Sequence, residues 1–264
     1  MTDTISPGSL AHVPVVTTTG DGRPALILHG GGGPFTVASI ADHLAATMQT
    51  LLPVHPGWNG TPALSPTATI ADFAHLYLTY LAEHDLSDVV VIGSSLGGWI
   101  AAEMAIGDTA GRIGAVILID AVGIDVPGHP VRDFFALDAR GVAEYSFHDA
   151  QKFYRDPALS TPEQLAGQQS NMATMRAVAG DPYMHDPTLA GRLDQVRVPA
   201  LVVWGDSDRI VTPDYGRAFA AALPDARFVE LAHAGHLPQI EQPAALFAAI
   251  DAFLTDLTQD PPSA

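Results

Sequence analysis

Serine, histidine, aspartate and glycine residues cluster in four short segments of this 264-residue chain. The most specific motif is Gly93-Ser94-Ser95-Leu96-Gly97-Gly98, which follows an apolar run and precedes a helical pattern. A G-x-S-x-G spacing in this context is typical of a nucleophile elbow, a tight turn between strand and helix that exposes a strained serine. Ser95 alone has glycine both two positions before and two positions after it, so Ser95 rather than Ser94 is the predicted nucleophile. A phosphate-binding loop is excluded because no lysine follows these glycines.

A serine hydroxyl needs a base near neutral pH, and imidazole titrates in the required range. Two histidines, His233 and His236, follow the last apolar run of the chain. A carboxylate that accepts the second N–H of such a histidine holds its tautomer and stabilises the imidazolium. Asp206 and Asp208 follow the preceding apolar run, and Asp120 ends another one. The residue types alone leave the choice of base and acid open.

The third type of chemistry lies in Leu28-His29-Gly30-Gly31-Gly32-Gly33-Pro34, at the end of the first strongly apolar run. Consecutive glycines allow peptide N–H groups to converge on a negative oxygen, together with the N–H of Leu96. Gly31 is the first predicted donor of this oxyanion hole and Gly32 the second. A dinucleotide-binding loop is disfavoured because no G-x-G-x-x-G spacing is present.

Short apolar runs alternate with longer helical patterns along the chain. Most runs are continuous, which indicates strands buried on both faces of a mostly parallel sheet. Strand–helix repeats of this kind predict an α/β fold with a doubly wound sheet, in which ligands bind at the carboxyl ends of the strands. The predicted strands are Ala25 to His29, Leu51 to His55, Val89 to Gly93, Ala115 to Asp120, Ala200 to Gly205 and Arg227 to Leu231. The predicted helices are Ile70 to Leu81, with Thr69 and Asp72 as a capping pair, Leu96 to Ile106, Ala218 to Leu223 and Ala244 to Leu257.

One interval is far longer than a strand–helix connection requires. We expect residues 122–196 to form an inserted helical cap, and residues 1–121 and 197–264 to form the catalytic core. Helix-like patches at Pro130 to Ala139 and Glu163 to Ala179 support a cap. Two ordinary helices packed on the sheet are the alternative.

Three apolar side chains are predicted to contact substrate. Phe134 and Met172 lie in the predicted cap, and Trp58 lies in a loop that follows a strand. For Trp58, covering the rim of the core is an equally good interpretation.

Composition excludes several classes of function. Twelve Lys and Arg against 29 Asp and Glu give a net charge of -17, which opposes the phosphate contacts that dominate nucleic-acid binding. The absence of cysteine excludes disulfides, a thiolate nucleophile and cysteine-ligated metals. The histidines show no metal-ligand spacing, so we predict no metal and no cofactor. The expected partner is a small-molecule substrate.

The location and assembly of the chain are expectations from composition. Met1 to Ser9 lacks the basic start and apolar run of a secretory signal. No stretch approaches the roughly 20 apolar residues that span a bilayer. We therefore expect a cytoplasmic monomer or homodimer with no nucleic-acid or membrane partner.

These segments together resemble the α/β-hydrolase superfamily over most of the chain apart from the predicted cap. The matching motifs are the elbow Gly93 to Gly98, the G-x-x-D acid loop Gly205 to Asp208, and the G-H-x-x-x-x-E-x-P histidine loop of Gly235, His236, Glu241 and Pro243. The resemblance implies Ser95 as nucleophile, Asp208 rather than Asp206 as acid, and His236 rather than His233 as base. It leaves Asp120 as the alternative acid and implies a structural role for His29.

The resemblance implies a serine hydrolase that cleaves a small ester-like carbonyl substrate through an acyl-enzyme. The four-glycine run is similar to loops of carbon–carbon bond hydrolases and to lipase-type H-G-G-G loops, so a carbon–carbon bond hydrolase, a lactonase and a perhydrolase are alternatives with the same triad. A receptor-like homologue that binds ligand without turnover is the alternative from another class. Haloalkane dehalogenases and epoxide hydrolases are disfavoured because they carry aspartate where Ser95 stands.

Overall fold

The computed structural model describes residues 14–259 and centres on a seven-stranded sheet. The strand order is β1-β3-β2-β4-β5-β6-β7, with β1 antiparallel to β3 and all other neighbours parallel. The strands are β1 Val15–Thr19, β2 Pro24–Leu28, β3 Gln49–Val54, β4 Val89–Ser94, β5 Ile113–Ile119, β6 Ala200–Gly205 and β7 Ala226–Leu231. The N-terminal stretch that we expect to lack a secretory signal, Met1 to Ser9, lies outside the described residues.

Helices cover both faces of this sheet. They are α1 Ala38–Leu44, α2 Ile70–Glu83, α3 Leu96–Gly107, α4 Ala139–Ser146, α5 Ala150–Phe153, α6 Pro162–Val178, α7 Pro213–Ala222, α8 Pro238–Glu241 and α9 Pro243–Gln259. Successive residues of the central strands enter opposite cores: Val91 packs with α2 and α3, whereas Val90 and Ile92 pack with α1 and α9. The prediction of a doubly wound, mostly parallel sheet is confirmed.

The central strands β4 and β6 are buried along their whole length, which explains their continuous apolar sequences. The edge strand β1 was not predicted. Its residues are mostly exposed, so no burial pattern distinguishes them in the sequence. At α2 the predicted capping pair is present: Asp72 N–H donates to Thr69 Oγ1, and Thr69 N–H donates to the Asp72 carboxylate.

The segment inserted between β5 and β6 contains α4, α5, α6 and three 3-10 turns. The predicted helix Pro130 to Ala139 is wrong, because only Phe134–Ala136 forms a 3-10 turn there. Helix α4 begins where that patch ends, since the Asp138 side chain accepts a hydrogen bond from the Gly141 N–H over 2.7 Å and caps the helix. The second patch corresponds to α6.

Across residues 14–259, none of the helices combines the length and the apolar character that a bilayer span requires.

Candidate active site

Ser95 lies at the turn between β4 and α3, with φ of 56° and ψ of −116°. A non-glycine residue in this region is strained, and the surrounding backbone must hold it there. The flanking glycines are required sterically. A Cβ on Gly93 would lie 2.1 Å from the Gly97 carbonyl oxygen, and one on Gly97 would lie 2.2 Å from the Leu28 carbonyl oxygen. The two glycines therefore let strand and helix approach closely enough to form the sharp turn.

A continuous hydrogen-bond relay joins Ser95 to a buried carboxylate. Ser95 Oγ lies 2.9 Å from His236 Nε2, and His236 Nδ1 lies 2.7 Å from Asp208 Oδ2. An ionised Asp208 can only accept, so Nδ1 carries the proton and Nε2 is free to accept the serine proton. The N–H groups of Ile210 and Val211 donate to Asp208 Oδ1 over 2.8 and 3.1 Å. The Asp208 side chain is fully buried, and these hydrogen bonds fix its orientation.

The competing base and acid candidates lie apart from this relay. His233 is exposed, and its ring packs against His148 at 4.9 Å. Asp206 is exposed and accepts a hydrogen bond from the Ser207 hydroxyl. All four candidates follow the same two strands, and the structure brings together the two that the family resemblance implies, His236 and Asp208.

The glycine loop after β2 has two of its carbonyls held by donors. The Gly30 carbonyl accepts hydrogen bonds from His29 Nδ1 over 2.7 Å and from the Gly33 N–H over 3.2 Å. The Gly31 carbonyl accepts from Trp58 Nε1 over 2.9 Å. In a trans peptide the N–H points opposite to the preceding carbonyl. The directions of the next two N–H groups along the loop are therefore set by these contacts.

The N–H groups of the predicted oxyanion hole are free. Within the described part of the chain, no backbone carbonyl accepts a hydrogen bond from the N–H of Gly31, Gly32 or Leu96. The loop also passes close to the nucleophile: a Cβ on Gly30 would lie 3.6 Å from Ser95 Oγ. An oxyanion hole requires N–H groups that are not already paired with backbone carbonyls, and these three meet that requirement.

Comparison with known proteins agrees with this arrangement. A sequence model of the alpha/beta hydrolase family matches residues 25–250, which include the elbow, the glycine loop and the histidine loop. The chain belongs to the alpha/beta hydrolase family.

Two curated members show the range of activities among similar sequences. A pimeloyl-[acyl-carrier protein] methyl ester esterase of Aromatoleum aromaticum is 28% identical over 84% of this chain and 94% of its own. A 2-hydroxy-6-oxo-6-phenylhexa-2,4-dienoate hydrolase of Burkholderia cepacia is 26% identical over 84% of each chain. Among solved structures, a thermophilic esterase from Thermogutta terrifontis has a TM-score of 0.71 at 23% identity, covering 92% of this chain and 93% of its own. That structural likeness confirms the alpha/beta hydrolase fold.

Trp58 does not line an open pocket in this alpha/beta hydrolase. Its side chain is fully buried, and its indole N–H is used by the Gly31 carbonyl. Burial agrees with the alternative that Trp58 covers the core, and its contact with substrate stays a prediction. Phe134 and Met172 are half-buried on the inserted segment, and their contact with substrate stays a prediction.

Helix α6 of the inserted segment contacts the loops that follow β2 and β3. A Cβ on Gly31 would lie 2.0 Å from Met175 Sδ, so this methionine packs directly on the glycine loop. Asn171 Oδ1 accepts from the Asn59 N–H over 2.8 Å. The sequence analysis predicts substrate contact for Met172 on this helix and does not single out Met175. The helical period of 3.6 residues places Met175 on the same face as Asn171, one turn away, and this spacing is the signal in the sequence that indicates Met175.

The other end of the inserted segment contacts the histidine loop. The His236 N–H donates to the Ser146 carbonyl over 2.7 Å. The Glu241 carboxylate accepts from the N–H groups of Gly235 over 2.6 Å, His148 over 3.0 Å and Asp149 over 3.1 Å. The inserted segment therefore contacts both sides of the site. Helix α6 packs on the glycine loop, and the last residue of α4 accepts a hydrogen bond from the backbone of His236.

A buried histidine pair lies beneath the glycine loop. His29 Nε2 accepts from the His55 N–H over 3.1 Å, while His55 Nε2 lies 2.9 Å from the His29 carbonyl and His55 Nδ1 lies 2.5 Å from the Tyr77 hydroxyl. In each ring, one nitrogen donates a hydrogen bond and the other accepts one, as expected for a neutral imidazole. Burial lowers the pKa of His55 to about 4, and burial followed by the charge of His55 lowers that of His29.

Asp120 is a second buried acidic group beside Asp208. Ligand-type atoms of Asp120, Asp208 and His236 lie within 4.8 Å of one another. His236 bonds to Asp208, and Asp120 instead accepts a hydrogen bond from the Gly205 N–H over 2.9 Å. A metal ion between the three groups would have to displace the His236–Asp208 hydrogen bond.

Proposed function

We propose that this protein is a serine hydrolase that cleaves a small ester through an acyl-enzyme. The observation that carries the proposal is the relay from Ser95 Oγ through His236 to Asp208, with contacts of 2.9 and 2.7 Å. A nucleophile, a base and a carboxylate that orients the base are the three parts that activate a serine hydroxyl.

The chemistry follows from these contacts. Ser95 Oγ attacks the substrate carbonyl carbon while His236 Nε2 takes its proton. Asp208 stabilises the resulting imidazolium. The tetrahedral oxyanion lies between the N–H groups of Leu96 and Gly31, with Gly32 as the second choice of loop donor. When the ester C–O bond breaks, the alkoxide takes the proton from His236 and leaves as an alcohol. Water, deprotonated by His236, then cleaves the acyl-enzyme to the acid and regenerates Ser95.

The acyl group that the site accepts is proposed to be uncharged. The helix α6 side chains that contact the two loops beside Ser95 are Asn171, Thr174 and Met175, all neutral. None of these three side chains could form an ion pair with a carboxylate, and unpaired buried charge is unfavourable. We propose that residues 122–196 act as the cap that shapes this acyl pocket.

Carbon–carbon bond hydrolysis with the same triad is the second candidate. The observation that favours it is the name of similar proteins, including the dienoate hydrolase of Burkholderia cepacia and a 2-hydroxy-6-oxononadienedioate hydrolase of Paraburkholderia phymatum. A lactonase or a perhydrolase would use the same residues. Because those dienoate substrates carry carboxylates, the neutral α6 face favours the ester.

Substrate turnover separates these reactions. The purified protein is to be assayed with a series of p-nitrophenyl esters, a simple lactone and a vinylogous diketone under one set of conditions. We expect the ester series to show the highest kcat/KM. A higher kcat/KM for the diketone would replace the ester proposal with carbon–carbon hydrolysis.

Variants of the relay test the mechanism. Ser95→Ala and His236→Ala should each lower kcat on the order of 10⁶-fold, and Asp208→Asn roughly 10⁴-fold. Ser94→Ala is the matched control, because this neighbouring buried hydroxyl contacts Gln239 and not the relay. A fluorophosphonate probe should label the wild type and not Ser95→Ala. Absence of labelling in folded wild-type protein would favour a binding module without turnover.

A further inference from the structure

Asp120 directly follows β5 and is fully buried, with a left-handed φ of 43°. Its backbone N–H donates to the Val203 carbonyl over 3.0 Å, so the residue is held against β6, the strand that leads to Asp208. Its Oδ1 accepts a hydrogen bond from the Gly205 N–H. Its Oδ2 is also buried, and no group in residues 14–259 forms a hydrogen bond with it.

The titratable groups beside the Asp120 carboxyl group include no lysine or arginine among the residues that the structure describes. The nearby titratable groups are Asp208 and His236, within 4.8 Å, and the more distant Glu241. If Asp120 and Asp208 were both ionised beside a neutral imidazole, two uncompensated negative charges would share one buried site. Two carboxylates in that position cannot both ionise without a large cost, and one of them retains its proton.

The hydrogen-bond inventory identifies which carboxyl group keeps the proton. An ionised carboxylate offers about four acceptor positions. Asp208 uses three of them, for the N–H groups of Ile210 and Val211 and for His236 Nδ1. Asp120 has one buried oxygen with no partner. A proton on Asp120 Oδ2 would supply Asp208 with its fourth hydrogen-bond donor. It would also give the buried Asp120 Oδ2 a hydrogen-bond partner.

We propose that Asp120 is a positioning residue that stays protonated at neutral pH and donates a hydrogen bond from Oδ2 to the Asp208 carboxylate. Its effect is exerted through Asp208, which it keeps ionised and oriented toward His236. The pKa of Asp120 agrees in direction: burial raises it most, and the charge of Asp208 raises it further, against a smaller lowering by the Gly205 N–H. The kinetic part rests on the proposed function, whereas the protonation state does not.

Asparagine at this position reproduces the proposed arrangement. Its amide oxygen can accept from the Gly205 N–H, and its NH₂ group can donate to Asp208 in the place of the acid proton. Valine has a similar shape and can do neither. Asp120→Asn should therefore keep kcat/KM within about threefold of the wild type, while Asp120→Val should lower it roughly 10- to 100-fold. Without the fourth donor the Asp208 charge acts more strongly on His236, so the acid limb of the pH profile should move to higher pH in Asp120→Val.

Infrared spectroscopy tests protonation without any assay of turnover. The wild-type protein at neutral pH should show the carbonyl band of a protonated carboxylic acid, and Asp120→Asn should lack it. The band should also persist in Ser95→Ala, where the proposed reaction is abolished. Absence of the band from the wild type would overturn the proposal, even if the wild type is fully active. Loss of the band in Ser95→Ala would also overturn it.

Kinetics provide the second test. If Asp120→Asn loses activity as severely as Asp208→Asn, Asp120 is ionised and the proposal is wrong. Prolonged dialysis against EDTA should leave the band and the activity unchanged, and loss of activity reversed by a divalent metal would assign the three groups to a metal site instead. Failure of Asp120→Val to fold would leave both the infrared test and the Asp120→Asn comparison intact.

Discussion

The Trp58 indole N–H donates to the Gly31 carbonyl over 2.9 Å, so a side chain from the loop after β3 orients the glycine loop after β2. Peptide planarity transmits that contact to the Gly32 N–H, just as His29 and the Gly30 carbonyl set the direction of the Gly31 N–H. Oxyanion donors are effective when they are oriented before the reaction begins. We therefore expect the buried residues that orient the loop to affect the proposed catalysis.

Replacing Trp58 tests this orientation. Trp58→Phe keeps an aromatic ring and removes the donor to the Gly31 carbonyl. We expect kcat to fall about tenfold with little change in KM, less than the roughly 10² to 10³ lost when an oxyanion donor itself is removed. Steady-state kinetics with a p-nitrophenyl ester measure both parameters.

Trp99→Phe is the matched control for this change. Trp99 is also buried, but its indole N–H has no hydrogen-bond partner among the residues described. The same substitution there removes ring volume and no hydrogen bond, so kcat should stay near the wild-type value. An equal fall in both variants would show that packing, not loop orientation, is responsible.

The contact between Gly31 and Met175 predicts a paired effect. Gly31→Ala would place a Cβ 2.0 Å from Met175 Sδ and should lower kcat at least tenfold by displacing the loop or α6. Met175→Ala should restore part of that activity in the double variant, because it removes the clashing side chain. Gly167→Ala on α6 is the control: its Cβ would meet no atom within 4 Å, and alanine favours the helix. Additive losses in the double variant would exclude the contact as the cause.

The buried histidine pair predicts an acid-sensitive fold. Unfolded imidazoles titrate near pH 6.5, whereas burial lowers the pKa of His55 to about 4. Between these values the unfolded chain binds more protons than the folded chain. The free energy of unfolding should therefore decrease as pH falls from 6.5 to 4, by on the order of 3 kcal/mol for His55 alone, and this contribution is complete above pH 6.5. Urea unfolding at a series of pH values measures the slope.

An exposed histidine provides the control for this titration. His75→Gln removes a solvent-exposed imidazole and should leave the slope unchanged. NMR titration of the imidazole carbons reports the pair directly. A midpoint for His55 near 6.5 would contradict the neutral network beneath the loop.

The hydrogen bonds of the Glu241 carboxylate predict that its replacement changes both the stability of the protein and the position of His236. It accepts three backbone N–H groups that join the histidine loop to the inserted segment. Glu241→Gln replaces one acceptor oxygen by an NH₂ group and should cost about 1 to 3 kcal/mol of unfolding free energy while lowering kcat. Asp256→Asn makes the same chemical change in an exposed pair with Arg227 and should stay within about 0.5 kcal/mol. Chemical denaturation compares the free energies of unfolding of the two variants. Equal values would contradict a stabilising role for the Glu241 hydrogen bonds.

Much of the fold could be predicted from the local sequence, because buried strands and tight turns each require a recognisable pattern of residue types. The continuous apolar residues of β4 and β6 reflect strands buried on both faces. The glycines at 93 and 97 reflect a turn in which any Cβ would meet backbone atoms. The strand Val15–Thr19 left no such pattern because it lies exposed at the sheet edge. The patch from Pro130 to Ala139 has apolar residues at helix-like spacing, but these residues pack against the core without forming a helix.

What the sequence by itself determined is the elbow at Ser95, the order of the six strands after β1, and the short list of partners for the serine. Tertiary structure decided which of those partners meet. His236 and Asp208 lie within hydrogen-bonding distance, whereas His233 and Asp206, a few residues away in the same loops, point to the surface. The contacts of Trp58 with Gly31 and of Asp120 beside Asp208 join residues from different loops. No local pattern encodes such pairs, because they depend on where the sheet and the inserted segment bring distant parts of the chain together.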